Sequence, residues 1–213
     1  MRLVKAMLGE GDNASQMFST FLGKRSLIIG EVGSGKTRLM AKLIEEAVRL
    51  GYSEKIAVVD LSPNIKVSSG KVVGAPLEAY VKINSPVKVL KPLKVRAPRL
   101  EGKSGEEVVR LAEENARAVE KVFNELQGDS KEILFINDVS IYLHSGSLEK
   151  LLSTLSRAKT CILTGYRGNS LNDDKGSGVS SRERALMRKL AEAMDNVVEM
   201  DHAVNDAKMN ERC

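Results

Sequence analysis

An α/β fold with three layers and a mainly parallel sheet is predicted by two features of this chain of 213 residues. The first is a set of short apolar segments that are continuous rather than alternating, as in strands covered on both faces. These predicted strands are residues 27–29, 56–59, 133–136, 160–163 and 197–200. The second is that segments with helical periodicity separate most of the strands, which is the order that produces a parallel sheet with helices on both faces.

The helical segments are recognised by the spacing of their apolar residues and by their end signals. They are predicted at residues 38–50, 104–128, 147–158 and 180–194. Ser104 to Glu107 and Ser180 to Glu183 each fit the capping-box pattern, in which a serine and a glutamate three residues later bind the free N–H groups of a helix start. We therefore expect the second and fourth helices to begin at these serines.

Two segments depart from the alternation of strands and helices. The N-terminal stretch is predicted to add a strand and a short helix at about residues 16–22. Residues 63–103 are too many for a simple connection and carry several prolines and glycines. We expect this segment to be a basic, partly β insertion at the carboxyl edge of the strands, within a single domain that spans residues 1–213.

An octapeptide between the first predicted strand and the first predicted helix fits the phosphate-binding pattern G-x-x-x-x-G-K-[ST]. Glycines let the backbone curl so that its N–H groups surround an anion, and the following helix directs its positive end toward that anion. Lys36 supplies a charge for the outer phosphates, and Thr37 supplies a hydroxyl for a magnesium ion. The residues expected to contact the nucleotide are Gly30, Glu31, Val32, Gly33, Ser34, Gly35, Lys36, Thr37 and Arg38.

With its flanking strand and helix, this segment resembles the Walker A motif of the P-loop NTPase superfamily. The resemblance implies a P-loop NTPase domain that binds a nucleoside triphosphate with Mg²⁺ and hydrolyses it. We expect ATP rather than GTP, because no N-K-x-D motif of the kind that reads guanine follows the fourth strand.

A carboxylate that works with the P-loop has two candidates, each at the end of an apolar strand. Asp138 follows the segment 133–137, which resembles a Walker B strand, and we expect Asp138 and Thr37 to hold the magnesium ion. Asp60 follows the segment 56–59 in the same way and is the second candidate for catalysis. A carboxylate in this position can also bind the N–H groups of a turn, and this alternative applies to both residues.

The two acids point to different branches of the superfamily. A Walker A helix leading directly into a strand that ends at Asp60 resembles polynucleotide kinases, GPN-type GTPases and MinD-like ATPases. The RecA-like and motor ATPases instead place a strand between the two Walker strands, and they often carry a glutamate after the Walker B aspartate. Val139 occupies that position here. Neither branch is matched fully, so the branch and the general base stay open at this point.

Beyond the fourth strand lie further polar residues that suit the catalytic edge. Thr164 resembles a sensor that hydrogen-bonds a phosphate or the attacking water, although it is equally an ordinary strand residue. The polar, glycine-rich segment 166–179 suits a lid. Arg167 is the candidate catalytic arginine of this loop, and an exposed loop whose charges only aid solubility is the alternative. Three other basic residues could take the same role, namely Lys175, Arg182 and Arg184.

Positive charge is concentrated within residues 82–103, which has two interpretations. The basic residues are Lys82, Lys88, Lys91, Lys94, Arg96, Arg99 and Lys103. One interpretation is a surface for nucleic acid or another polyanion, although Tyr80 is the only aromatic ring close by. The other is a charged edge strand that prevents aggregation.

Composition limits the remaining classes of function. The net charge of +5 permits nucleic-acid binding without requiring it. No apolar stretch is long enough to span a bilayer, and the N-terminus does not read as a signal peptide, so we expect a cytoplasmic protein. Cys161, which we expect to be buried, and Cys213 lie far apart, as do His144 and His202, which argues against a disulfide framework or a zinc site.

These observations predict an ATPase, or hydrolase, that is coupled to an unknown partner or process. Two alternatives remain from the sequence. The first is an ATP-dependent phosphotransferase that resembles nucleotide or polynucleotide kinases. The second is a slow nucleotide-dependent switch or assembly subunit, which would change its oligomeric state, as a homo-oligomer for example, or its affinity for a partner.

Overall fold

The computed structural model describes residues 2–5, 17–63, 65–66, 72–128 and 131–200. Its strands are β1 (Arg2–Lys5), β2 (Arg25–Gly30), β3 (Ile56–Asp60), β4 (Ile65–Lys66), β5 (Val72–Val73), β6 (Lys88–Leu90), β7 (Ile133–Asn137), β8 (Thr160–Tyr166) and β9 (Asn196–Met200). All five strands predicted from the sequence are confirmed, as β2, β3, β7, β8 and β9.

Seven of these strands form one sheet in the order β1-β9-β2-β8-β7-β3-β6. Every neighbouring pair in this sheet is parallel. The carboxyl ends of the strands therefore lie along one edge, and the segment after β2 leaves from that edge. Strand β8 lies between β2 and β7, so the strand before the octapeptide and the strand before Asp138 are not direct neighbours.

The helices are α1 (Lys36–Arg49), α2 (Pro98–Glu101), α3 (Gly105–Glu125), α4 (Ser140–Leu143), α5 (Leu148–Leu155) and α6 (Val179–Glu192). The predicted cap at Ser104 is confirmed, because its hydroxyl accepts a hydrogen bond from the Glu107 N–H at 3.3 Å. The reciprocal bond differs from a capping box, since the Glu107 carboxylate accepts from the Lys103 N–H at 2.9 Å.

The predicted capping box at Ser180 is wrong. Helix α6 begins at Val179, after Gly178, whose φ of 78° is a left-handed conformation that favours glycine. Ser180 therefore lies inside the helix. The Glu183 side chain is buried and bonded to Arg99, so it is not available to cap the helix start. A contact between distant segments overrides the local pattern here.

The sheet is covered on both faces, as expected for three layers. Side chains of successive strand residues point to opposite faces, and the core separates accordingly. Ile28 and Phe135 pack with the residues of α1 on one face. Leu27 and Ile136 pack on the other face with the residues of α3, α5 and α6. The predicted α/β architecture with a mainly parallel sheet is confirmed.

The segment 63–103 contains short strands, as predicted, but it is more closely joined to the sheet than the sequence indicated. Strands β4 and β5 form an antiparallel pair, while β6 extends the main sheet by pairing with β3. Asn115 of α3 holds the next part of the segment, because its side chain accepts a hydrogen bond from the Arg96 N–H and donates one to the Arg96 carbonyl, both at 2.9 Å. These contacts fix the start of α2, which carries Arg99.

The N-terminal residues also add to the sheet. Strand β1 pairs with β9, and the predicted short helix is a 3₁₀ turn at Phe18–Phe21, while residues 6–16 lie outside the described part of the chain. The buried Glu46 of α1 accepts a hydrogen bond from the Phe18 N–H at 2.9 Å and so fixes this turn against the core. Within the described residues, no helix has the length and apolar character that crossing a membrane requires.

Candidate functional site

The octapeptide forms a tight loop between β2 and α1. Gly33 and Gly35 have φ values of 78° and 89°, a region that other residues enter only with strain. Gly35 is also the N-cap residue of α1, so the loop turns directly into the helix start. Backbone N–H groups and the positive end of a 14-residue helix therefore converge at one place, which is the arrangement that binds phosphate.

The Lys36 ammonium group folds back over this loop. Its Nζ donates hydrogen bonds to the carbonyl oxygens of Gly30 at 2.8 Å and Glu31 at 2.7 Å, and lies 3.4 Å from the Ser34 Oγ. Burial lowers the pKa of Lys36, and the nearby carboxyl groups of Asp138 and Glu31 act in the opposite direction. A cation held by neutral carbonyl groups can transfer its hydrogen bonds to phosphate oxygens without breaking an ion pair.

A network of side chains connects the ends of β3, β7 and β8 to the loop. The Asn137 Oδ1 accepts hydrogen bonds from the Thr37 hydroxyl at 3.5 Å and from the Thr164 hydroxyl at 2.9 Å. The Asn137 Nδ2 donates to Asp60 at 2.9 Å. Asn137 is thus the residue of the β7 end that contacts Thr37, a role that sequence reasoning did not give it. The available signal was its place as the last residue of the strand.

Asp138 follows Asn137 with a φ of 60°, a left-handed conformation that aspartate tolerates better than most residues. Its N–H donates to the Thr164 hydroxyl at 2.9 Å, and its carboxylate accepts from the Ser140 hydroxyl at 2.6 Å. Burial raises the pKa of Asp138, while the hydrogen bond from Ser140 and the charge of Lys36 oppose that shift. Backbone strain of this kind at the end of a strand is typical of functional positions.

Asp60, the other candidate acid, has a different environment. It is 3% exposed, and one carboxylate oxygen accepts from the Ser62 N–H, the Ser62 hydroxyl and Asn137. The other oxygen accepts from the Leu77 N–H at 2.8 Å. Three of these four hydrogen bonds connect the end of β3 to the segment that follows it, and the fourth connects it to the end of β7. They are the pattern of a carboxylate that stabilises a turn.

Arg167 and the three other candidate basic residues have partners on the surface, and Arg182 and Arg184 lie in α6 rather than in the predicted lid. Arg167 forms an ion pair with Glu199, its side chain is 65% exposed, and it is not among the described residues that line the cavity beside the loop. The remaining three are also held, as Lys175 pairs with Asp173, Arg182 donates to the Ser145 and Gly146 carbonyl groups, and Arg184 donates to Asn172. The arginines that line the cavity are Arg38 and Arg99.

Glu31 attaches the start of this predicted lid to the phosphate loop. Its carboxylate accepts hydrogen bonds from the Asn169 and Ser170 N–H groups at 2.7 and 3.2 Å, and from the Ser170 hydroxyl. Gly168 permits this contact, because the space of a side chain there is filled by the Glu31 carboxylate. Partial burial would raise the pKa of Glu31, but these bonds and one from the Val32 N–H lower it to about 2.

The Glu31 contact predicts a pH-dependent attachment of the loop. The pKa of Glu31 falls from 4.5 to about 2 in the folded protein. The stability that the ionised Glu31 adds by holding the loop is therefore complete above pH 4.5 and is lost as the pH falls toward 2. In an NMR titration from about pH 5 downward, the amide signals of Asn169 and Ser170 should shift with a midpoint near this low pKa. Glu31→Gln should remove that titration, and the exposed Glu45→Gln should retain it. An unchanged titration in Glu31→Gln would contradict the attachment.

A cavity of about 390 Å³ adjoins the phosphate loop. Its walls include Lys36, Thr37, Asn137, Asp138 and Thr164, so the candidates from three strand ends face one space. The structure brings these residues together. It does not bring Asp60 or Arg167 to the described wall of the cavity.

The cavity continues past the phosphate loop to the segment 63–103. From that segment, Tyr80, Pro98 and Arg99 form part of its wall. His144, which sequence reasoning treated as isolated, also lines it and is 2% exposed. No motif marks His144 in the sequence, because its neighbours come from α2 and α6. In the described part of the chain, no three His, Cys, Asp or Glu side chains group as a metal site.

The basic residues of 82–103 do not form one uniform positive surface. Lys91 pairs with Glu78 and lies 3.9 Å from Asp60. Arg96 pairs with Glu101 and the buried Arg99 pairs with Glu183, each at 2.5 Å. Strand β6 lies at an edge of the sheet, where the charged-edge interpretation places it. Cys161 is buried as expected, and Cys213 lies outside the described residues.

Comparison with known proteins gives distant structural likenesses. No protein-family model and no curated protein matches the chain. The flagellar accessory protein FlaH from Methanocaldococcus jannaschii is similar with 14% sequence identity and a TM-score of 0.45, over 84% of this chain and 75% of that one. The Pif1 helicase from Candida albicans is similar with 13% identity and a TM-score of 0.40, over 92% of this chain and 40% of that one. At these values neither likeness bears on activity.

Proposed function

We propose that this protein binds a nucleoside triphosphate, ATP foremost, with Mg²⁺ and hydrolyses it. The observation that supports this proposal most strongly is the position of the Lys36 ammonium over a glycine loop at a helix start, in the wall of a cavity that also contains Thr37, Asn137, Asp138 and Thr164. Backbone N–H groups of residues 32–37 would surround the β- and γ-phosphates, and Lys36 would neutralise charge on their outer oxygens.

The oxygen atoms near the loop fit a magnesium ion. Mg²⁺ prefers oxygen ligands and takes one or two from the protein, with phosphates and water as the rest. The Thr37 hydroxyl and the Asn137 Oδ1 lie 3.5 Å apart, and the Asp138 carboxyl lines the same cavity. We propose Thr37 as a direct ligand and Asn137 as a ligand through water, which changes the pairing of Thr37 with Asp138 expected from the sequence. The ion would supply positive charge to the β- and γ-phosphates.

Asp138 is then proposed as the general base. A carboxyl group with a raised pKa accepts a proton more readily, and burial raises the pKa of Asp138. The Thr164 hydroxyl fixes the backbone of Asp138 and the side chain of Asn137, so one sensor-like residue positions both. Asp138 follows the residue that contacts Thr37, which is the place where RecA-like and motor ATPases often carry a glutamate. Asp138, rather than Val139, is the counterpart of that acid.

The strand order also supports the branch of the RecA-like and motor ATPases. Strand β8 separates β2 from β7, as in the RecA-like and motor ATPases. Asp60, whose two oxygens are occupied by hydrogen bonds, is proposed to hold the end of β3 rather than to act on the nucleotide. A catalytic role for Arg167 is not supported by its exposed pair with Glu199.

We also propose where the protein acts and what kind of partner its hydrolysis of ATP serves. We place the activity in the cytoplasm, with a polyanion at residues 82–103 as the candidate partner. Its contacts there would be with the exposed Lys82, Lys94 and Lys103 rather than with the basic residues that pair with carboxylates. The phosphotransferase remains the second candidate, because the cavity extends from the phosphate loop to the wall formed by Tyr80, Pro98 and Arg99. This space could hold an acceptor next to the terminal phosphate.

A slow switch that assembles as a homo-oligomer would be recognised by a change in mass when ATP is added.

The proposed function is tested by phosphate release from ATP and from GTP, each with Mg²⁺ and with excess chelator. We expect release that depends on Mg²⁺ and is faster with ATP. Addition of single-stranded nucleic acid distinguishes the candidates, because a coupled ATPase is stimulated whereas a transferase passes the phosphoryl group to the strand end. No consumption of either nucleotide under any of these conditions would contradict the proposal.

A further inference from the structure

A buried group of three side chains lies beside the nucleotide site and takes no part in the proposed hydrolysis. Arg99, His144 and Glu183 have side chains that are 7%, 1% and 3% exposed, respectively. The Arg99 Nη1 donates to the Glu183 Oε2 at 2.5 Å, and the His144 Nε2 lies 3.5 Å from the same oxygen. We name these residues the inner cluster. They come from α2, the end of α4 and α6, and Arg99 and His144 line the cavity.

The inner cluster has more hydrogen-bonding groups than partners. Both ring nitrogens of His144 and the Glu183 Oε1 are buried without a hydrogen-bond partner among the described residues. In the same part of the chain, the hydrogen bonds of the Arg99 guanidinium run from its Nη1 to Glu183 and Ser180, which leaves the Nε and Nη2 donors. Buried polar groups without partners cost free energy, so such a group at a cavity wall indicates a bound polar ligand.

The chemistry of these groups selects the ligand. The two remaining nitrogens of a guanidinium group form a fork that matches two oxygens of a phosphate, and His144 can donate to a third. Among the described wall residues, Lys36, Arg38 and Arg99 carry positive charge and Asp138 carries a carboxyl group, while the Glu183 carboxyl group behind the wall is paired with Arg99. This balance of charge favours an anion in the cavity.

The inner cluster lies close to the phosphate loop, but its residues belong to different helices from the one that follows the loop. The Arg99 Cζ lies 5.2 Å from the centre of the Tyr166 ring, and Tyr166 is the sheet partner of Gly30, the first residue of the loop. The loop binds phosphate through α1 and Lys36, whereas the inner cluster would bind through α2, α4 and α6. Arg99 is held in place by Tyr166 and Glu183, so its fork is fixed before a ligand arrives.

We propose that the inner cluster is a second phosphate site, which binds a phosphate group that is not part of the nucleotide on the loop. This inference rests on the proposed function, since it places the second phosphate next to a bound triphosphate. The phosphate can come from two sources, either free phosphate or the phosphate ester of a second substrate.

The test uses the protein saturated with Mg²⁺ and the non-hydrolysable analogue AMP-PNP, so that the terminal phosphate position is filled, and adds inorganic phosphate. The chain has two histidines, so the His144 imidazole signal can be assigned by NMR with the variant His202→Gln. We expect phosphate to shift the His144 signal in a saturable manner. No shift of that signal would overturn the proposal.

Variants identify the binding residue. We expect Arg99→Gln to weaken phosphate binding at least about tenfold, because a charged, bidentate contact is lost. The double variant Arg99→Gln with Glu183→Gln removes both charges and so leaves no unpaired buried carboxylate. It replaces the single variant in this measurement if the single variant does not fold. Arg96→Gln is the matched control, as Arg96 is three positions away and pairs with Glu101. Equal phosphate affinity in the double variant and the wild type would overturn the proposal.

Two further outcomes are informative. Binding of AMP in place of phosphate would assign the site to a phosphate ester, whereas exclusion of AMP would assign it to free phosphate. The binding of AMP-PNP is measured first. If AMP-PNP does not bind, the proposed function fails and this inference fails with it; if it binds and phosphate leaves His144 unchanged, the second site alone fails.

Discussion

Replacing Lys36 with alanine is expected to reduce ATP turnover by on the order of 10²–10³-fold. The Lys36 ammonium is the charge placed over the glycine loop, and burial lowers its pKa while the carboxyl groups of Asp138 and Glu31 act in the opposite direction. Its loss removes a preorganised donor for the oxygens on which charge develops during phosphoryl transfer. Phosphate release at saturating ATP and Mg²⁺ measures the effect.

Lys42→Ala is the matched control for this change. Lys42 lies on the same helix but is exposed to solvent, so its removal alters the net charge equally without touching the loop. We expect its turnover to stay within about twofold of the wild type, since exposed substitutions away from special features have small effects. Undiminished turnover in Lys36→Ala, or an equal loss in both variants, would contradict the assignment of the loop.

Replacing Asp138 with asparagine is expected to reduce turnover by about 10²–10⁴-fold while Mg-ADP binding is retained. Asparagine keeps the size of the side chain and can still accept a hydrogen bond from Ser140, but it cannot take a proton from water. The loss should therefore appear in kcat rather than in affinity for the product nucleotide. Titration with Mg-ADP and a steady-state assay of the same sample separate the two quantities.

Asp60→Asn gives the comparison that distinguishes the two strand-end acids. Its carboxylate accepts hydrogen bonds from Ser62, Leu77 and Asn137, so we expect a loss of unfolding free energy of about 2 kcal/mol. Turnover per folded molecule should change only severalfold, because Asp60 lies outside the described cavity wall. Urea unfolding gives the stability. A large loss of turnover in Asp60→Asn with wild-type activity in Asp138→Asn would reverse the roles.

The parts of the fold that local patterns determine were predictable from the sequence. Short continuous apolar segments identified the five inner strands, and the octapeptide identified the loop at the start of α1. These features depend on residues that are close in the chain. Thr37 and Thr164 were also predicted at the catalytic edge, because the ends of parallel strands lie together.

The contacts between distant segments were not predictable in this way. The sequence indicated that an acid follows β7, but not that Asn137 would be the residue to contact Thr37, since a shift of one residue decides which side chain faces the loop. Glu183 fitted a capping box, yet it is buried against Arg99, which is 84 positions away in the chain. His144 is a candidate only because the fold brings Arg99 of α2 and Glu183 of α6 next to it.

The segment 63–103 was likewise only partly predictable, because its structure depends on contacts with distant residues. Its prolines and glycines indicated an irregular segment, but strand pairing of β6 with β3 depends on where the chain returns to the sheet. A surface for a polyanion was one of the two interpretations of its basic residues, the other being a charged edge strand. Several of them instead pair with carboxylates, including those of Glu78, Glu101 and Glu183.

Equilibrium binding of Mg-ATP to the wild-type protein, measured by calorimetry, tests the central proposal most directly. The geometry of the glycine loop, Lys36 and Thr37 predicts saturable binding of one nucleotide per chain, which Lys36→Ala weakens strongly and Lys42→Ala leaves unchanged. The absence of saturable binding to the wild-type protein, or equal affinity in Lys36→Ala, would contradict it.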